Sequence, residues 1–378
     1  MYKKIWFKIH LILGLTVGLV LLVIGTTGAI LSFEKEILNV LNKDSYEVSV
    51  PNSPKLSTRQ LLEIFQVKMP EAKINKISFS SDANSSLVIN IAGFKNPREI
   101  KKGIDYYVNP YTAEILPNIK GKEFFKFIEH LHRWLALEGQ GKEVGKQISA
   151  ISTVALIVLL ISGVIIYWPK IKRAFLKSLR FSFKHKGRNF ISTMHSAVGM
   201  WVIPFYLLAS LTGLYWSYDW YNTALYKIAG VEKPQKNKSK EKNENEEQLQ
   251  SNFDSYQKAI ELFNIFVQTE YKTATLNLTP KESTYKITYV DVNADHYRAV
   301  NNMHLDINKE ELIKHERYED KTLPAKLMQS MLPLHSGEYF GRIGQITMFI
   351  ASLLMALFTI TGFMLYIKRT KKKKKSSI

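Results

Sequence analysis

Nine histidines and no cysteine define the metal chemistry open to this 378-residue chain. Without cysteine there is no C-x-x-C-H attachment of haem, no cysteine-held iron–sulfur cluster, no thiolate zinc site and no disulfide. A metal must then be held by His, carboxylate or Met. Four of the histidines recur at matching places. His10-Leu-Ile-Leu-Gly14 is followed by Thr27-Gly28, and His195-Ser-Ala-Val-Gly199 is followed by Thr212-Gly213 at identical spacings. Leu131-His132 precedes Gly145, Ser162-Gly163 and Tyr167, as Leu334-His335 precedes Gly344, Thr361-Gly362 and Tyr366. His to the later glycine is 31 residues in one half and 27 in the other, a difference that a four-residue insertion around Leu137–Gly141 explains. A neutral imidazole is the usual ligand to haem iron where cysteine is missing, and two of them at equal depth on facing helices can share one iron. The repeat therefore predicts that His10 and His195 ligate one haem iron and that a second site could form between His132 and His335, the alternative for each being an interfacial histidine at a helix end. Gly14 and Gly199, one turn from the first pair, suit a flat macrocycle pressed against a helix, although Gly14-x-x-x-Gly18 is equally a helix-packing pattern. His130 competes with His132, and only the repeat favours the latter; His185, His296, His304 and His315 have no assigned role.

The elements that must position these residues are apolar blocks at Leu11–Phe33, Ile148–Trp168, Val198–Tyr218 and Ile346–Ile367. Each has twenty or so residues without a central charge, enough to cross roughly 30 Å of hydrocarbon. The first is too long for a signal peptide and lacks a small-residue cleavage site, so it is expected to be a retained span. The formal charge of +19 lies mostly in the N-terminus, the link Pro169–Asn189 and the tail Lys368–Lys375. These are alternate loops of a four-span protein, so the positive-inside rule puts them and both termini in the cytoplasm. The basic tail reads as a topology anchor at anionic lipid, not as a nucleic-acid arm. Trp168, Trp201, Trp216, Tyr218 and Trp220 cluster at span ends as an interfacial belt. As one straight helix, Gly121–Ile148 would carry His132 about 24 Å from Ile148. Phe124–Leu137 is therefore expected to fold back onto the outer membrane surface, breaking near Gly139-Gln-Gly141.

The segments between spans repeat as well. Ser57–Lys68 reads as an amphipathic helix, followed by strands at Ile74–Ser80, Leu87–Ile91, Ile104–Val108 and Glu114–Leu116. Phe253–Gln268 is its counterpart, followed by strands at Thr273–Leu278, Tyr285–Asp291 and Tyr297–Leu305. The fold class is a membrane α-helical protein, four transmembrane helices forming a two-fold internal duplication, with two small α+β extracytoplasmic domains. The expected order is a first span through residue 33, an α+β unit at 34–120 and a membrane-surface segment at 121–147. Spans at 148–168, 198–218 and 346–367 follow, separated by a basic link at 169–197 and an outer segment at 219–345. That segment holds a Lys/Glu/Asn-rich linker at 233–250 and a second α+β unit at 251–320, and a basic tail closes the chain at 368–378. The halves share one orientation and are related by an axis along the membrane normal.

The chain resembles the PepSY-associated transmembrane family of iron-regulated inner-membrane proteins, which includes ferric-siderophore reductases. The resemblance rests on Lys8-Ile-His10-Leu-Ile-Leu-Gly14, Leu131-His132-Arg-Trp-Leu135, Met194-His195-Ser-Ala-Val-Gly199, Leu334-His335-Ser-Gly337 and two PepSY-like units with Tyr106-Tyr-Val-Asn-Pro-Tyr-Thr112. It implies haem b in the four-helix region, periplasmic outer domains, and electron delivery to a periplasmic ferric siderophore or other iron chelate. No Rossmann or flavin motif is visible, so a quinol or a separate reductase must supply the electrons. The alternative is a non-enzymatic PepSY membrane protein that binds or regulates a periplasmic partner such as a peptidase. A transporter is disfavoured because the spans lack the acidic and basic residues of a proton or ion path.

Overall fold

The structure, a computed structural model, describes residues 2–93, 103–234, 253–278 and 283–375, with side chains through residue 371. Its helices are α1 (Tyr2–Leu31), α2 (Glu34–Leu41), α3 (Lys43–Tyr46), α4 (Thr58–Lys68), α5 (Lys122–Trp134), α6 (Gly141–Arg173), α7 (Phe175–Ser178), α8 (Gly187–Leu214), α9 (Asp219–Ala229), α10 (Phe253–Phe266), α11 (Leu323–Gln329), α12 (Met331–Ser336) and α13 (Gly341–Lys375). The strands are β1 (Ile74–Phe79), β2 (Leu87–Ile91), β3 (Ile104–Val108), β4 (Tyr271–Asn277), β5 (Thr284–Asp291), β6 (Asn301–Asp306) and β7 (Glu311–Glu316). They form two compact units, Met1–Glu34 with Lys122–Glu232 and Ser330–Ile378, and Lys35–Gly121 with Lys233–Gln329.

The first unit is a four-helix bundle. Helical stretches of 30, 33, 28 and 34 residues are long and apolar enough to cross a membrane, and only 11–33% of their apolar windows is buried inside the protein. The rest of that apolar surface needs lipid to cover it, which makes this a multi-pass membrane protein. The helices outrun the apolar blocks. The second begins at Gly141 and ends at Arg173, and the third starts at Gly187 and stops at Leu214, short of the expected Tyr218. Hydropathy marks the lipid-facing stretch, whereas the hydrogen-bonded ladder continues into polar flanks. Helices α1 and α8 each pack against both α6 and α13, which leaves α1 and α8 facing each other across the bundle diagonal. Leu21, Val202, Tyr206, Ala351 and Met355 fill the centre. The Tyr206 hydroxyl, buried in apolar surroundings, donates to the Ala351 carbonyl at 2.7 Å. Close packing of α1 on α13 occurs at Gly18, whose carbonyl accepts from Thr359 Oγ1 at 3.1 Å.

The chain reverses before the second and fourth spans, as the spacing requires. The reversal into α6 begins at Leu135 and Ala136, both left-handed (φ 53° and 56°), ahead of the expected break at Gly139. In the other half Gly337 and Gly341 (φ 85° and 65°) make the equivalent reversal into α13. Helix α5 packs against α1 and α6. Its apolar residues divide accordingly: Phe125, Ile128 and Trp134 are buried, while Phe124 and Phe127 remain 54% and 55% exposed.

The second unit departs from two separate α+β domains. All seven strands join one antiparallel sheet in the order β3-β2-β1-β4-β5-β6-β7. The seam is β1 on β4, with Ile77 opposite Leu276 and Ser78 opposite Thr275. Pairing the two edges satisfies backbone groups that each smaller sheet would expose, and the Ser78 and Thr275 hydroxyls bond across the seam at 2.8 Å. Helices α4 and α10 pack side by side through Arg59–Asp254 at 2.7 Å. Beneath them Phe65, Ile77, Ile89, Tyr256, Phe263, Leu276, Ile287, Met303 and Leu305 form the core. Ser57 caps α4 in a capping box with Gln60. The third strand of the second half is Asn301–Asp306, not Tyr297–Leu305, and β7 was unexpected because its residues are mostly exposed and polar. Residues 114–116 contribute a single bridge, Val108 to Ile115. The linker expected at 233–250 lies outside the described residues from 235 onward.

Candidate functional site

Eight residues into α1 and eight residues into α8 stand His10 and His195, carried by the two diagonal helices. Their ring centres are 6.4 Å apart with planes at 76°. His132 near the end of α5 and His335 on α12 form a second pair, 6.3 Å apart with planes at 69°. His130, two residues from His132, instead packs its ring on Trp134 at 5.2 Å. The remaining imidazoles belong to other surroundings. His296 is buried and accepts from the Arg298 amide at 3.1 Å, His315 Nε2 pairs with the Tyr289 hydroxyl at 2.7 Å, His304 lies on a strand, and His185 is exposed.

Each paired imidazole is tied through Nδ1. His10 Nδ1 is 2.9 Å from Ser162 Oγ on α6, and His195 Nδ1 is 2.7 Å from Thr361 Oγ1 on α13. His132 Nδ1 lies 3.0 Å from both Thr27 Oγ1 and the Ile24 carbonyl of α1. His335 Nδ1 lies 3.0 Å from both Thr212 Oγ1 and the Ala209 carbonyl of α8. A carbonyl only accepts, so Nδ1 of His132 and of His335 carries the hydrogen. The hydroxyls lead to the same tautomer in the first pair. Ser162 donates to the Leu159 carbonyl at 3.0 Å and Thr361 to that of Leu357 at 2.6 Å, which leaves lone pairs facing the imidazoles. In His132 and His335 Nε2 is then the unprotonated nitrogen, the form a metal requires, and in His10 and His195 it is so when the hydroxyl keeps its bond to the backbone.

Thr27, Ser162, Thr212 and Thr361 were not singled out as site residues from sequence. Their signal was present, because each precedes the glycine that marks the repeat. Two of those glycines lie close against the imidazoles. A Cβ on Gly28 would stand 3.2 Å from His132 Cε1, and one on Gly213 would stand 3.2 Å from His335 Cε1. Gly14 and Gly199, expected to seat a macrocycle, face Leu159 and Phe358 at ordinary contact distances of 4.0 and 3.7 Å. Two aromatic rings also touch the site unforeseen: Phe358 meets His195 edge-on at 5.3 Å, and Trp216 meets His335 at 5.7 Å.

This arrangement suits one kind of metal group. A ligating imidazole nitrogen lies about 2 Å from its metal, so two rings trans on one centre stand about 6 Å apart, centre to centre. Both pairs meet that condition. Among the described residues no group of three or more His, Cys, Asp or Glu could hold a metal ion. A bare ion would lack ligands here, whereas the iron of a haem needs only the two axial ones. Along α1 the step from His10 to Thr27, which holds the second pair, is seventeen residues or about 25 Å. The two pairs thus sit toward opposite ends of the bundle. A cavity of about 650 Å³ in the second unit, lined by Lys55, Ser81, Gln257, Glu261 and Tyr271 among others, contains no histidine.

The bundle and its imidazole pairs define a multi-pass membrane protein with histidines paired at two depths. The chain belongs to the family described as the PepSY-associated TM region, whose model matches residues 7–369 and so takes in both pairs. No curated protein matches it.

Proposed function

We propose that the chain is a haem-b-containing inner-membrane oxidoreductase that carries electrons from the cytoplasmic side to a ferric chelate, such as a siderophore, in the periplasm. The observation that carries this reading is the pair of imidazoles at each end of the bundle, at the separation two axial ligands need. When bound, haem b supplies one-electron chemistry between Fe(III) and Fe(II). The protein's part is to hold the ligands, orient them and exclude water. His10 and His195 would hold one haem and His132 and His335 the other, with Nδ1 of each ring tied so that Nε2 is available. Gly14 and Gly199 leave the helix surface flat one turn from the first pair. The apolar centre around Leu21, Val202 and Met355 provides a dry, low-dielectric setting between the sites. The central stretches of the spans hold no acid or base, which fits electron transfer without a coupled proton path. Basic N-terminal, 169–197 and C-terminal segments support cytoplasmic termini, with the His10 end inside. Reduction weakens the hold of hard oxygen ligands on the substrate iron and so releases it. A quinol or a separate reductase donates the electrons.

Purified full-length protein is expected to show a sharp, low-spin b-type α-band on reduction. His195→Ala should lose the haem of the first pair and keep that of the second, as read by pyridine haemochrome. Haem-free wild type, after expression with ample haem, would sink this reading. It would instead favour the α+β unit, with its cavity, as a docking module for a periplasmic protein such as a peptidase.

A further inference from the structure

The wiring of the four histidines follows one rule. In the first half α1 supplies His10 to Ser162-Gly163 of α6, and α1 also offers Thr27-Gly28 to His132. In the second half α8 supplies His195 to Thr361-Gly362 of α13 and offers Thr212-Gly213 to His335. Each imidazole is thus held within its own half while it faces an imidazole of the other half.

We propose that the hydroxyls of Thr27, Ser162, Thr212 and Thr361 are positioning residues that fix the ligand tautomer and set how strongly each imidazole donates to a bound metal. The proposal rests on the haem reading above. A free hydroxyl could donate to Nδ1 and move the ring hydrogen to Nε2, where it would block ligation. Each of the four hydroxyls has another acceptor for its hydrogen, a carbonyl of the preceding turn, at 2.7 Å for Thr27, 3.0 Å for Ser162, and 2.6 Å for Thr212 and Thr361. That back-bond is common in apolar helices and needs no partner. Thr16, Thr26, Thr153, Thr193 and Thr347 make it with no imidazole attached. Among the described residues, the contact of a Ser or Thr hydroxyl with Nδ1 is therefore an addition confined to the hydroxyls beside the repeat glycines. An acceptor on Nδ1–H raises the basicity of the ring and favours the more highly charged ferric state.

Thr361 offers the cleanest test, since its oxygen stands closest to an imidazole, at 2.7 Å from His195 Nδ1. Full-length Thr361→Val and Thr361→Ser would be compared with wild type by haem content and by redox titration of the α-band. The Val variant should retain both haems with one midpoint potential raised and the other unchanged, and the Ser variant should restore the wild-type value. Loss of one haem in Val that Ser restores also supports the proposal. Wild-type midpoints in the Val variant would overturn it, as would equal haem loss in Val and Ser, which would indicate packing alone. Absence of haem from the wild type would take down the haem reading and this proposal together.

Discussion

Gly213 and Gly28 illustrate how small a feature decides whether an imidazole pair forms. Each lies beside a threonine that accepts from the histidine, and each leaves 3.2 Å between a would-be Cβ and the ring edge. Gly213→Val would push His335 away from His132 while leaving His10 and His195 untouched. The expected outcome is loss of the second-pair haem with retention of the first, measured as haem per protein and as the surviving component of a redox titration. Equal haem in variant and wild type would show that the ring can give way without cost. The four histidines were legible in sequence because the repeat spacing exposes them. Their hydroxyl partners were not assigned, because a Ser or Thr in an apolar helix normally needs nothing beyond its own backbone.

At the level of elements, two turns show where local backbone strain resides. Asn109-Pro-Tyr-Thr-Ala113 and Asp306-Ile-Asn-Lys-Glu310 differ in sequence but are built alike. Asn109 Oδ1 accepts from the Tyr111 amide at 2.9 Å, and Asp306 Oδ1 accepts from the Asn308 amide at 2.9 Å. The fifth residue of each is left-handed, Ala113 at φ 54° and Glu310 at φ 55°. A side chain in that conformation costs about 1 kcal/mol. Ala113→Gly should therefore stabilise the second unit by up to about 1 kcal/mol, offset in part by greater freedom of the unfolded chain. Urea unfolding followed by the sheet's circular dichroism would measure it, and a variant less stable than wild type would show that the Ala113 methyl packs better than its backbone strains. The helices flanking the histidines carry a similar feature. Leu135 and Ala136 take positive φ in the break before α6, where the second half uses Gly337 and Gly341 before α13.

For the whole molecule, the two halves carry matching histidine and glycine spacings. With α1 and α8 on the bundle diagonal, His10 of one helix faces His195 of the other. The absence of cysteine allows the direction to be tested without altering any site. Ser53→Cys and Lys184→Cys lie at exposed positions, one in the α+β unit and one in the basic link between α7 and α8. A membrane-impermeant maleimide should label Ser53→Cys in intact spheroplasts and Lys184→Cys only after lysis. The opposite pattern would invert the topology and, with it, the direction of electron flow proposed above.

Sequence alone determined the four apolar helices, the matching spacings of the two halves, the helix–strand order of most of the second unit and which histidines stand in pairs. Hydropathy and spacing are local or simply periodic, and a duplication repeats both. Only the tertiary structure decided that the two α+β segments share one sheet, since pairing of β1 with β4 depends on two open edges meeting and leaves no mark in either strand. It also separated His132 from His130, because the choice depends on which face of α5 turns toward α1. The tautomer of each imidazole was likewise out of reach of sequence, being decided by carbonyls and hydroxyls that are distant along the chain and brought within 3 Å by helix packing.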